Sequence, residues 1–281
     1  MFRHFVRAAI VFLCAVMLSP VAVLAENYAV LFSGGSRLAK NYLRYYDNTL
    51  RFYNLLVDEF NYDPSNIWIV ASDGTDPADD ISNGTSSDWS APIAAGATVF
   101  SADGTNLEDT ITGLNTGPAD LFLFWTFDHG GGTANAPGTT GEETLTGWGT
   151  SYADEDVDAW VDEVDAGRIA VVYGQCFSGG ILDNHNITSG SGMFGCAATN
   201  HYESSYGDGF VGAFSDGIED HGYTTCHDLY QHAYENDPYA TDGEGPGGTW
   251  ADGVEHPWKV GDDLDLAVAN WVGLGAGGSL H

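Results

Sequence analysis

Two places in the sequence hold side chains able to perform acyl chemistry. One is Asp128-His129-Gly130-Gly131-Gly132, directly after the apolar run Asp120–Phe127. The other is Gly174-Gln175-Cys176-Phe177-Ser178-Gly179-Gly180, directly after Arg168–Tyr173. A thiol attacks a carbonyl carbon well only when a base or electropositive donors favour the thiolate. Histidine suits the base role because its pKa lies near neutrality. The glycines add a second capacity. Without a Cβ, Gly130 can bring its N–H close to a bound carbonyl oxygen, and with the Cys176 N–H it would form an oxyanion hole. A buried cysteine is by itself more often inert, so the argument rests on the conjunction of thiol and imidazole at two strand ends.

The intervening elements must bring these ends together. Tyr28–Phe32 reads as a short strand stopped by Ser33-Gly34-Gly35, and Asn66–Ala71 as a second. Between them, Leu50, Tyr53, Leu56 and Val57 fall at helical spacing and predict a helix from about Tyr45 to Phe60. Ser72 to Gly96 is polar and rich in Asp, Gly, Ser and Pro, which marks a long surface loop. Thr105 with Glu108 gives a capping-box pattern for a helix through Leu114. Asp120–Phe127 is too apolar for a half-exposed strand and reads as a central one. After a Gly/Thr-rich loop from Gly130 to about Gly149, Ser151 with Asp154 is expected to cap a helix carrying Val157, Trp160, Val161 and Val164. Arg168–Tyr173 is the fourth strand and Met193–Thr199 a fifth. The alternation predicts one α/β domain over 26–281 with a mostly parallel sheet. Ligands of such sheets bind outside the carboxyl ends of the strands. Ser33–Gly35, Asp128–Gly132, Gly174–Gly180 and Thr199–Tyr206 should therefore share one crevice.

Composition narrows the partners. The chain carries 40 acidic and 8 basic side chains, for a formal net charge of −32. Such a surface repels phosphate backbones and anionic membranes, so no nucleic-acid partner is expected. Arg3 and Arg7, the apolar run Ala8–Leu18, the Ser19-Pro20 break and Ala25 together read as a cleaved signal peptide over 1–25. The run is shorter than the ~20 residues a span needs, so no stable membrane insertion is expected. The expected location is secreted or periplasmic. Removal of the leader takes Cys14 and leaves Cys176, Cys196 and Cys226, an odd number that requires at least one free thiol. An oxidising compartment would allow Cys196 and Cys226 to pair and leave Cys176 as that thiol. Of the basic residues that remain, Arg37, Lys40, Arg44 and Arg51 fall in a single segment.

An apolar strand followed by Asp-His-Gly, then an apolar strand followed by Cys-x-Ser-Gly, resembles the caspase-like fold and most closely the legumain (asparaginyl endopeptidase) family. Ala197-Ala198-Thr199-Asn200-His201-Tyr202-Glu203-Ser204-Ser205-Tyr206 resembles that family's Ala-Ala-Asn-x-x-Glu-Ser-Ser-Tyr stretch, and Asn41-Tyr42 followed by Asp47 its Asn-Tyr-Arg-His-x-x-Asp segment. The resemblance spans about 30 to 215. It implies a three-layer α/β/α sandwich and a cysteine endopeptidase that acts on a peptide or protein substrate, after Asn or Asp, without a cofactor. In that reading Cys176 is the nucleophile, His129 the general base and acid, and Asn41 the residue that orients the histidine. Ser204, Ser205 and Asp208 match positions of the pocket for the side chain before the scissile bond. Two positions depart from the pattern. Gly174 stands where the family has Glu, and Leu43 separates Tyr42 from Arg44, the nearest candidate for the pocket arginine.

Other signals point elsewhere. His221, Cys226, His227 and His232 lie close in sequence, but the His227–His232 interval does not place both rings on one helical face, so no metal site is expected. Asp73–Asp80 lacks the ordered calcium-loop pattern and reads as a solvated acidic loop. No G-x-S-x-G, H-E-x-x-H or P-loop occurs. Two alternatives to the peptidase stand: a catalytically silent binding protein of the same fold, and an acidic calcium- or sugar-binding exported protein.

Overall fold

The computed structural model describes residues 25–133, 141–240 and 255–267. The signal peptide read over 1–25 lies outside them apart from Ala25. In chain order the elements are β1 (Asn27–Ser33), α1 (Leu43–Asp58), β2 (Ile67–Ala71), α2 (Ser90–Ala95), β3 (Thr98–Phe100), α3 (Asn106–Thr112) and β4 (Leu121–Thr126). A small hairpin sheet follows, β5 (Gly130–Gly131), β6 (Thr144–Thr146) and β7 (Ser151–Ala153). The remainder is α4 (Asp154–Asp162), β8 (Arg168–Tyr173), α5 (Ser178–Asn184), β9 (Met193–Ala197), α6 (Gly209–His221), α7 (Cys226–Asn236) and β10 (Trp258–Gly261).

Seven strands form the central sheet in the order β10-β9-β8-β4-β1-β2-β3. All pairings are parallel except β10 with β9. The α/β class and the mostly parallel sheet are as the alternation predicts. β4 sits at the centre between β8 and β1, and its residues 121–125 are all apolar because successive side chains enter different cores. Leu121, Leu123 and Trp125 pack with Phe52 and Leu56 of α1, Phe214 of α6 and Leu229 of α7. Phe122 and Phe124 pack with Leu107 of α3, Val161 of α4 and Ile181 of α5. Helices thus cover both faces.

Several boundaries differ from the sequence reading. α1 starts at Leu43, two residues earlier than the periodicity suggests, with extended Tyr42 as its cap. β3 is too short to show a period, and α2 lies inside the stretch read as loop. Thr105 does precede α3, but its hydroxyl bonds the Asp109 carboxylate at 2.8 Å, so the capping box does not form. Ser151 is drawn into β7 by pairing with Thr146, and Ala153 is the residue before α4. The acidic loop is not fully solvated. Asp80 is buried and accepts hydrogen bonds from the Ser87 N–H at 2.6 Å and hydroxyl at 2.7 Å. Cys196 and Cys226 are buried and unbridged, and Cys176 is free as well. Among the described residues no helix is long and apolar enough to cross a membrane.

Trp125 is fully buried and stacks on Phe52 with ring centroids 4.9 Å apart, tying β4 to α1. Trp125→Ala should destabilise the fold by about 3–5 kcal/mol, read as a lower urea midpoint at unchanged m-value.

Candidate active site

The central pairing sets the site. β4 and β8 run parallel in register, with Thr126 opposite Tyr173 and the Gly174 N–H bonded to the Thr126 carbonyl at 2.9 Å. The chain therefore leaves both strands at one level, and His129 and Cys176 emerge side by side. Gly130 packs on the backbone of Cys176. A Cβ placed there would lie 2.0 Å from the Cys176 carbonyl oxygen, so only glycine fits. Thr146 of β6 donates its N–H to the His129 carbonyl at 3.2 Å. The Gly130 N–H lies close enough to the Cys176 thiol to favour its ionised form.

Phe177 turns the chain sharply after Cys176. It has φ 60° and ψ 18°, a left-handed conformation uncommon for an aromatic residue, and α5 begins at the next position. The turn is fixed by the Phe177 N–H on the Glu203 carbonyl at 2.8 Å and the Ser178 N–H on the Thr199 hydroxyl at 3.2 Å. The Cys176 sulfur accepts from the Ser205 N–H at 3.2 Å and lies 3.7 Å from the Ser205 carbonyl. The Ser204 hydroxyl lies near the thiol and also favours its ionised form. Burial pushes the Cys176 pKa up, more than these donors lower it.

His129 sits against the rings of Tyr42 and Tyr45, with centroid separations of 5.7 and 5.2 Å. Its Nε2 lies 3.0 Å from the Lys40 carbonyl. A carbonyl only accepts, so Nε2 carries the proton and Nδ1 is left as the basic nitrogen. Desolvation holds the imidazole pKa below its ordinary value. Thiol and imidazole therefore both rest neutral.

Asp128 anchors this corner. Its buried carboxylate accepts from the His129 N–H at 2.5 Å, from the Ser33 hydroxyl at 3.3 Å and from the Gly35 N–H. Gly35 has φ 73°, which allows the chain leaving β1 to bend back toward Asp128.

Asn41 is buried, but the structure gives it a different partner set from the one the resemblance implies. Its amide donates to the Ser72 hydroxyl at 2.7 Å and the Asp80 carbonyl at 2.9 Å. It acts on His129 through the backbone, by fixing the segment whose Lys40 carbonyl holds the ring. Arg44 lies over the Tyr42 and Tyr45 rings, 4.4 and 4.8 Å from their centroids, beside His129. Asp208 is exposed at the start of α6 and reaches Arg44 only through Asn48, whose amide donates to the Arg44 carbonyl at 2.9 Å and the Asp208 carboxylate at 3.2 Å. Gly174 is buried beneath the site. A Cβ there would meet Val211 at 2.3 Å, so no glutamate could occupy this position without displacing α6. The basic segment disperses: Arg51 pairs with Asp216 and Glu219 of α6 at 2.6 and 2.5 Å.

Sequence reasoning missed Tyr45, Asn48, the Lys40 carbonyl, Asp237, Glu255 and His256. Asn48 could have been found, since it stands four residues after Arg44 on a helix. His221 and His232 do bring their rings to 4.6 Å, a proximity the His227–His232 interval hid. Even so, no group of three or more His, Cys, Asp or Glu among the described residues could hold a metal ion. No family model matches the chain, and no curated protein matches it.

Burial raises a set of acids: Asp73 to about 6, Asp128 and Glu143 to about 7, and Glu255 to about 8. Each keeps a proton in the folded chain that it loses in the unfolded one between its ordinary pKa and its raised one. The sign is that stability is greatest below the ordinary carboxyl pKa and is lost as pH rises toward each raised pKa, by up to about 1.4 kcal/mol per pH unit for the proton retained on buried Asp128 or Glu255 and by less for partly exposed Asp73, which solvent screens. Thermal unfolding should show Tm falling by at least several degrees from about pH 5 to about pH 8.5. A Tm that rises over this range would contradict the assignment.

Proposed function

We propose that this protein is an exported cysteine endopeptidase of caspase-like fold, related to legumain. The observation that carries the reading is the placement of Cys176 and His129 at the ends of adjacent central strands, with Gly130 packed against the Cys176 backbone. As the sulfur attacks the peptide carbonyl carbon, Nδ1 of His129 takes the thiol proton. The oxyanion is received by the N–H groups of Gly130 and Cys176. The C–N bond breaks, His129 returns the proton to the leaving amine, and a thioester remains on Cys176. Water then attacks the thioester, giving its proton to His129, and the acid product leaves as the thiol is restored. The chemistry needs no cofactor.

The resting state is a neutral pair, so the reaction depends on His129 being unprotonated. Because its pKa lies below the ordinary imidazole value, kcat/KM should already be high in mild acid, with its rising limb below pH 6.5. The side of the site formed by Arg44, Asn48 and Asp208 offers both donors and acceptors. That suits the amide of an asparagine before the scissile bond better than a lone cation, which would face Arg44, or a lone anion, which would face Asp208.

The test is hydrolysis of fluorogenic peptides ending in Asn, Asp, Arg or Lys, under reducing conditions and across acid to neutral pH. Cys176→Ala should abolish turnover, and His129→Ala should lower kcat by about 10²–10⁴-fold. Gly130→Ala should lose activity comparably, because its methyl displaces the Cys176 backbone. Equal silence from wild type and Cys176→Ala, with both folded, would favour the binding-protein reading.

A further inference from the structure

The segment that touches the thiol is held from outside by two carboxyl groups that no motif marks. Ser204 and Ser205 contact Cys176, and the next N–H, that of Tyr206, donates to the Glu255 carboxyl, which also bonds the Ser205 hydroxyl. Glu255 lies three residues before β10, bridged to Ala240, and is 1% exposed. Asp237, buried just beyond α7, accepts from the Tyr239 N–H at 3.0 Å. The Glu255 N–H donates to the Tyr239 carbonyl at 2.7 Å, which brings the two carboxyls together, and Asp237 Oδ2 and Glu255 Oε2 are each buried without a hydrogen-bond partner, an arrangement that favours a proton held between them. The other Asp237 face presses on Gly209, the first residue of α6, where a Cβ would lie 2.2 Å from the carboxylate.

We propose that Glu255 and Asp237 are positioning residues, a carboxyl pair whose shared proton keeps Ser204–Tyr206 seated against Cys176 and whose loss sets the alkaline limit of the reaction. The inference rests on the peptidase reading for its kinetic part. The surroundings supply little to stabilise a second negative charge. Across from Glu255 is the Cys176 thiol, whose pKa the Glu255 charge raises further. Asp208 at the start of α6 adds a negative charge and is engaged by Asn48. His256, the neighbour in sequence, is committed to Glu203 at 2.5 Å and adds a second clamp on the same segment. Tyr206 and Tyr239 close the outside, with rings 5.7 Å apart. Burial, the largest cause, and the Asp237 charge raise Glu255 to about 8, so the pair holds its proton through neutral pH and loses it above. Two buried carboxylates then face each other, and the Tyr206 contact is pushed apart.

Glu255→Gln separates this role from a merely structural one. Its amide oxygen can accept from Tyr206 while its NH₂ donates to Asp237, at every pH. In the full chain, wild-type kcat/KM should fall about tenfold or more from pH 6.5 to pH 9.5, whereas E255Q should retain hydrolysis at pH 6.5 within about threefold and lose little by pH 9.5. E255Q should also show a higher Tm than wild type at pH 9.5 and a similar one at pH 6. Glu255→Ala, which leaves Tyr206 and Asp237 without their partner, should lose activity at both pH values. An alkaline limb and an alkaline Tm unchanged in E255Q would overturn the proposal, as would a wild-type profile from Glu255→Ala. If Glu255→Ala fails to fold, the E255Q comparison still decides. Absence of hydrolysis by wild type at every pH would overturn the peptidase reading and the positioning role together, and the Tm comparison would then judge the carboxyl pair alone.

Discussion

The parallel pairing of β4 with β8 is the interaction on which the site depends. Parallel strands in register end at a common level, and the backbone bond from Gly174 to Thr126 closes the ladder just before both chains turn away. From there His129 lies three residues beyond Thr126, and Cys176 three beyond Tyr173. The fit is tight enough that Gly130 and Gly174 have no room for a side chain: one abuts the Cys176 carbonyl, the other α6 and the end of β4. A register shift of one residue would turn the β4 side chains into the wrong core and separate imidazole from thiol in the same move. Stability and chemistry thus rest on a single alignment.

Around that alignment the molecule supports each reacting group through backbone atoms. The histidine ring is held by a carbonyl, that of Lys40, and the thiol by an N–H, that of Ser205. Buried side chains in turn fix those backbones: Asn41 through Ser72 and Asp80, Asp128 through Ser33 and Gly35, Glu203 through His256 and Asn200. Burial is the largest cause of both shifts, a thiol whose pKa is raised and an imidazole whose pKa is lowered, and the Arg44 charge beside His129 adds to the second.

The acidic character of the chain has two levels. On the surface, a net charge of −32 is self-repelling near neutrality and less so as carboxylates take up protons. Inside, Asp128, Glu143 and Glu255 are held partly or wholly protonated by burial. Both levels favour mild acid, and the lowered pKa of His129 keeps its base form available there. Fold stability and proposed catalysis therefore share one pH preference by independent physical routes.

Much of the fold was legible because a central parallel strand cannot hide. DLFLFWTF and RIAVVY are apolar on both faces along most of their length since both faces are covered, and the residues after them are reactive types in a glycine-rich setting. Length and alternation likewise announced the mostly parallel sheet. What stayed hidden was every contact carried by chain atoms common to all residues or by partners remote in sequence. The Lys40 carbonyl leaves no trace in residue type. Glu255 stands 49 positions from Tyr206, and Asp237 is one of 40 acidic residues until burial sets it apart. β3 and β10 are short edge strands whose pairing, not pattern, defines them. The sequence by itself determined which groups could react and which strands would present them, because side-chain chemistry and burial period are local properties. Only the tertiary structure decided how those groups are oriented and which protons they hold, because orientation and desolvation arise from neighbours that folding alone supplies.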